Sequence, residues 1–138
     1  MLTPIEEKLT VLHLEDDKHL SQILKVALRS AEPGIKVVQF EQSNPFVDYF
    51  IEHGRSIDMF ILDIRVPGEF DGIDVARFIR RYPNNAPIIL TSAYQMPDRE
   101  ILKELNAVWQ PKPWHVLETT RTLIKVAKGY RESRYKPE

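Results

Sequence analysis

Residues Ile57 to Gly72 read IDMFILDIRVPGEFDG, and the fold turns on this stretch. Met59 to Leu62 is a continuous apolar run that ends on a single carboxylate, Asp63. Beyond it come Pro67, Gly68, Asp71 and Gly72, residues that form turns and stop strands. A strand that is apolar throughout, instead of alternating, is buried on both faces, as in a parallel sheet covered by helices. An acid at the exit of such a strand stands where open α/β sheets place their ligands. Asp63 is therefore the first candidate functional residue.

The same grammar repeats on both sides. Toward the N-terminus, Val11 to Leu14 is an apolar run ended by Glu15, Asp16 and Asp17. Leu20, Ile23, Leu24, Ala27 and Leu28 then fall at i, i+3, i+4, i+7 and i+8, one face of a helix, until Pro33-Gly34 breaks it. Val37 to Phe40 reads as a second strand. Asn44 is placed as an N-cap with Pro45 at the first helical position. Val47, Phe50 and Ile51 form that helix's apolar face, and Gly54 closes it.

Toward the C-terminus, Val75, Phe78, Ile79 and Tyr82 repeat the helical spacing up to Pro83. Ile88 to Leu90 is a fourth apolar run, bounded by Pro87 and Thr91-Ser92. A short helix from about Pro97 to Leu105 turns Ile101, Leu102 and Leu105 inward. Ala107 to Gln110 is a weak strand next to Pro111, which cannot donate to a ladder, so this strand belongs at a sheet edge. A last helix from about His115 to Lys128 carries Val116, Thr120, Leu123, Ile124 and Ala127 inward, with Gly129 as its stop. Strands alternating with helices imply a doubly wound, three-layer α/β domain around a parallel sheet. That domain spans residues 9–129, after an N-terminal extension, 1–8, and before a polar tail, 130–138.

Composition narrows the function classes. With 138 residues the chain suits one domain. Its 19 basic and 20 acidic residues lack the basic excess of a general nucleic-acid or membrane-surface binder. There is no cysteine, hence no disulfide and no thiolate metal site. The apolar runs fall far short of the roughly 18 residues of a membrane span, and MLTPIEEKLT lacks the charge order and apolar core of a signal peptide. A cytoplasmic setting is expected.

The expected strand exits collect Glu15-Asp16, Asp63, Thr91-Ser92 and Lys112 at one edge. Three crowded carboxylates repel one another. A divalent cation resolves this, and oxygen ligands without His or Cys favour Mg2+ (or Mn2+). A hydroxyl and an ammonium facing that cation complete a site for a phosphoryl group.

With these residues in place the chain resembles a CheY-like response-regulator receiver domain of two-component signalling. LHLEDD is similar to that family's first-strand acidic pair, ILDIRVP to its phosphoacceptor strand, ILTSAY to its hydroxyl strand and QPKPW to its lysine-proline signature. All four come in the family's order. The resemblance implies a flavodoxin-like sheet in the order 2-1-3-4-5. It makes Asp63 the phosphoacceptor, Glu15, Asp16, Asp63 and the Arg65 backbone carbonyl the magnesium ligands, and Ser92, not Thr91, the family's Ser/Thr. Lys112 becomes its lysine, with the Lys112-Pro113 bond cis, and Trp109 its aromatic switch residue.

The implied partners are a histidine kinase or histidine phosphotransfer protein as donor and a downstream protein as receiver of the signal. Output, and homodimerisation where it occurs, would use the face of the fourth helix, fifth strand and fifth helix. Neither a membrane nor direct nucleic-acid contact is implied. At the pocket mouth Arg65 and Tyr94 are expected to shield the acyl phosphate.

The chain departs from the family pattern in two places. The loop after Pro67 is one residue long, so Gly72 arrives late, and the Ser92–Lys112 interval is about two short, with Asn106-Ala107 in place of Gly-Ala. Individually the residues have plainer readings: Asp16 or Asp17 as a helix cap, Lys112 as a solvated lysine, Ser92 as a turn residue, and His13 as a packed, hydrogen-bonded histidine. Two other functions use related residues, a pseudo-receiver that only binds partners and an aspartyl phosphohydrolase. The latter wants an acid two residues after its nucleophile, where this chain has Arg65.

Overall fold

The apolar runs become five strands in a computed structural model that describes residues 8–135. They are β1 (Thr10–Leu14), β2 (Lys36–Phe40), β3 (Met59–Asp63), β4 (Ile88–Ser92) and β5 (Ala107–Pro111). All pair in parallel, in the order β2-β1-β3-β4-β5. The three inner strands, β1, β3 and β4, are buried at every position, as continuous apolar runs require. The proline-limited β5 lies at the edge.

The helices are α1 (Lys18–Ala31), α2 (Ser43–His53), α3 (Gly72–Arg80), α4 (Arg99–Leu105) and α5 (Val116–Tyr135). Side chains alternate across a strand, so β1 sends Leu12 and Leu14 to one layer and Val11 to the other. The first layer packs Leu12, Phe60, Leu62 and Leu90 against Phe46, Val75, Ile79 and Leu105 of α2, α3 and α4. The second packs Val11, Ile61 and Ile89 against Leu24, Leu28, Leu123 and Ile124 of α1 and α5. Each such fully buried side chain contributes roughly 1.5–3 kcal/mol. The result is the expected doubly wound three-layer sandwich. Among the described residues no helix is long and apolar enough to cross a membrane.

Long-range contacts moved three local expectations. In α2 the buried residues are Phe46, Val47 and Phe50, and Ile51 is exposed. Asn44 is not a cap. The β3–α3 loop docks on this helix start: Ser43 N–H donates to the Pro67 carbonyl, Phe70 N–H to Ser43 Oγ, and Glu69 N–H to Asn44 Oδ1. The extra loop residue is absorbed there. Gly68 has φ +122, and a Cβ on it would stand 2.1 Å from Ser43 Oγ.

In α1 only Leu24, Ala27 and Leu28 are buried, while Leu20 and Ile23 keep much of their surface open. Finally, α5 does not stop at Gly129 but continues to Tyr135. Its added turns are anchored on Asp58, fully buried just before β3. It accepts the Thr10 N–H at 2.8 Å and pairs with Arg131 at 3.2 Å and Arg134 at 3.8 Å. Both arginines lie in the part of α5 read as a loose tail. The extension up to residue 7, and the tail from 136 on, lie outside the described residues.

Candidate functional site

Strand register decides what meets at the carboxyl edge of the sheet. Leu14 pairs with Leu62, Asp63 with Thr91, and Ser92 with Pro111. Glu15, Asp63, Ser92 and Lys112 therefore leave their strands within one step of each other. Gly72 closes the space behind: a Cβ there would be 2.4 Å from the Asp63 carbonyl oxygen. Its N–H donates to the Ile64 carbonyl at 2.8 Å, setting the start of α3 against the end of β3.

Glu15 and Asp63 are buried and Asp16 is exposed; one oxygen from each lies within 4.8 Å of the others. Asp17 is the α1 cap, its Oδ1 accepting from His19 and Leu20 N–H. That leaves the Asp16 carboxylate without capping duty. Lys112 Nζ bridges the other two acids, 2.6 Å from Glu15 Oε1 and 2.9 Å from Asp63 Oδ2. The Lys112-Pro113 peptide is cis.

One ammonium serving two buried carboxylates leaves both short of charge compensation. Burial pushes Glu15 up to about 7, against the pull of Lys112 and the Asp17 N–H. Burial alone would lower Lys112, but its bonds to Glu15 and Asp63 outweigh that and raise it. An all-oxygen set of this kind fits a hard divalent cation that adds charge where Lys112 alone falls short.

Arg65 N–H donates to Asp63 Oδ1 at 3.2 Å, tying that peptide to the carboxylate. The Arg65 guanidinium lies over the Tyr94 ring, 4.0 Å from its centroid. Ser92 is buried, and its hydroxyl accepts the Tyr94 N–H at 3.0 Å. Trp109 is half-buried on the layer of α2, α3 and α4.

One polar link here has no local sequence signature. Trp114 Nε1–H donates to Thr91 Oγ1 at 3.0 Å, which anchors the indole. His13 is buried, as its place in a strand implied. Burial, then the charge of Lys112, lower it to about 3, which keeps the ring neutral.

Comparison with known proteins agrees with this geometry. The chain matches the response regulator receiver domain family over residues 11–109. It belongs to that family. None of the curated proteins compared with it matches. Among solved structures it is similar to a CheY-like receiver domain protein from Methanospirillum hungatei, with TM-score 0.78 and 12% identity over 92% of this chain and 99% of that one. It is also similar to chemotaxis protein CheY4 of Vibrio cholerae, with TM-score 0.74 and 20% identity over 87% and 99%. A third is the CheX-CheY-BeF3-Mg+2 complex from Borrelia burgdorferi, with TM-score 0.70 and 23% identity over 86% and 88%. At these identities the structural likeness speaks for the fold alone.

Proposed function

We propose that this receiver domain takes a phosphoryl group on Asp63 from a phosphohistidine of a histidine kinase or phosphotransfer protein, and so signals to a downstream partner. One observation carries the reading: Lys112 Nζ sits 2.9 Å from Asp63 Oδ2 in a cluster of three acids at the sheet edge. An Asp63 carboxylate oxygen attacks phosphorus, the P–N bond to the donor imidazole breaks, and the imidazole leaves with a proton. Lys112 neutralises charge on the phosphoryl oxygens, and the Ser92 hydroxyl, which accepts the Tyr94 N–H, turns to donate its own hydrogen to one of them. Glu15, Asp16, Asp63 and the Arg65 carbonyl would hold Mg2+ or Mn2+. When bound, the cation supplies positive charge to offset the oxygens of donor and acceptor.

Displacement of Ser92 releases Tyr94 and frees space toward Trp109, biasing the α4–β5–α5 face. Val108 of β5 and Leu117 of α5 are exposed apolar residues there; they suit a partner or a second copy. In this reading the setting is the cytoplasm. The test uses radiolabelled acetyl phosphate with Mg2+. The native chain acquires an acid-labile label and Asp63→Asn does not; persistent label on Asp63→Asn removes Asp63 from the role.

A further inference from the structure

Beside the phosphoacceptor region, between α1 and the β5–α5 turn, lies a cavity of about 380 Å³. Its walls are mainly apolar, from Leu20, Ile23, Pro113, Trp114 and Val116, and His13 of β1 also lines it. The volume falls in the range of small-molecule sites, roughly 300–1,000 Å³, which combine apolar walls with few polar groups. Leu20 and Ile23 remain 38% and 46% exposed, although they stand on the apolar face of α1. Among the described residues nothing covers them. Trp114 is pinned by its bond to Thr91 Oγ1, so that wall is preformed.

His13 supplies the polar feature. It is only 3% exposed. Gln39 Nε2 donates at 2.7 Å to the Ser21 carbonyl, which can only accept, and this orients the amide. The same nitrogen lies 3.2 Å from His13 Nδ1 and turns its second hydrogen to that atom. Nδ1 is thus an acceptor, and the ring carries its hydrogen on Nε2. No hydrogen bond to that Nε2–H is formed among the described residues, and the atom is not sealed in the core. A ligand oxygen in the cavity can accept from it in place of water.

We propose that this cavity binds a neutral, mainly apolar small molecule whose single oxygen acceptor takes a hydrogen bond from His13 Nε2–H. Binding does not depend on the role given to Asp63. Because Glu15 and Lys112 also border the cavity, an occupant would touch two groups of the phosphoryl site, and only that consequence rests on the proposed function.

The test titrates the full chain with 2-acetylnaphthalene, followed by amide and histidine side-chain NMR shifts. The matched hydrocarbon 2-ethylnaphthalene lacks the oxygen. Saturable shifts are expected around His13, Leu20, Ile23 and Trp114, with the ketone binding about fivefold more tightly. His13→Leu should erase that preference, Ile23→Trp should block both compounds by filling the cavity from a half-exposed position, and Asp63→Asn should bind like the native chain. Equal binding of ketone and hydrocarbon by the native chain would overturn the role of His13. Absence of saturation, or binding unchanged in Ile23→Trp, would overturn the site, as would a cavity that accepts only a partner protein's side chain.

Discussion

The Arg65 guanidinium stacks on the Tyr94 ring, 4.0 Å from its centroid, and Tyr94 is held through its N–H by the Ser92 hydroxyl. The pair spans two loops, after β3 and after β4, beside the strand exits that carry Asp63 and Ser92, and shielding of the Asp63 phosphoryl group is the role proposed for it. A cation over an aromatic face contributes roughly 0.5–1 kcal/mol at an exposed site. Replacing either residue by alanine should speed loss of the phosphoryl group roughly two- to fivefold. The double variant should be hardly faster than either single one, because both open the same lid. Dephosphorylation rates after removal of excess acetyl phosphate check this; unchanged rates would show two solvated surface residues.

Lys112 holds two buried carboxylates together. Its removal leaves them facing each other without a counter-charge, and breaking a buried pair costs roughly 3–5 kcal/mol. Lys112→Ala should melt well below the native chain in EDTA and recover much of the loss in Mg2+. Its magnesium-induced rise in Tm should exceed the native one. Equal shifts in both proteins would mean that the lysine does not compensate these acids.

The position of Glu15 makes the site pH-sensitive. Its carboxyl rises from a usual 4.5 to about 7 because it is buried. Between those values the folded, metal-free chain binds more protons than the unfolded one. Stability from this group is present below about 4.5 and is lost as pH rises through about 7. Metal ligation needs the ionised form, so apparent Mg2+ affinity should climb as pH rises to about 7 and then level off. Calorimetry in buffers of different ionisation enthalpy should detect proton release near pH 6, and Glu15→Gln should abolish it. A flat affinity profile would contradict the assignment.

At the opposite end of the sheet, Asp58 ties Thr10, Arg131 and Arg134 together. Asp58→Ala removes a fully buried carboxylate that accepts the Thr10 N–H and pairs with two part-buried arginines, and should cost roughly 3–5 kcal/mol. Amide exchange in residues 129–135 should rise toward that of a frayed helix end, while the middle of α5 stays protected. Unchanged protection there would mean that helix propensity alone carries α5 past Gly129.

That clamp also shows where local reading runs out. Three inner strands and their exits were legible because double burial leaves continuous apolar runs, and Glu15, Asp16, Asp63 and Lys112 meet because parallel register puts strand exits level. The end of α5 was not legible. Gly129 is a stop by local rules, but a carboxylate more than seventy positions earlier overrides it. In α2, Val47 and Phe50 are buried as expected and only Ile51 is turned out; the helix start differs because loop residues Pro67 to Phe70 bond to Ser43 and Asn44, and a single helix's periodicity carries no sign of a docking loop. In α1 the apolar spacing was correct, yet Leu20 and Ile23 face a cavity and not a neighbour. Spacing reports a face but not what covers it.

The central claim is that Asp63 is the residue that accepts phosphorus, and reductive trapping addresses it most directly. After incubation with acetyl phosphate and Mg2+, borohydride converts an aspartyl phosphate to homoserine, which peptide mass spectrometry locates. Homoserine is expected at position 63 in the native chain and nowhere in Lys112→Ala under the same brief exposure. Homoserine at Asp16 or another aspartate, 5-hydroxynorvaline at Glu15 or another glutamate, or neither anywhere while the chain is folded and metal-loaded, would contradict it.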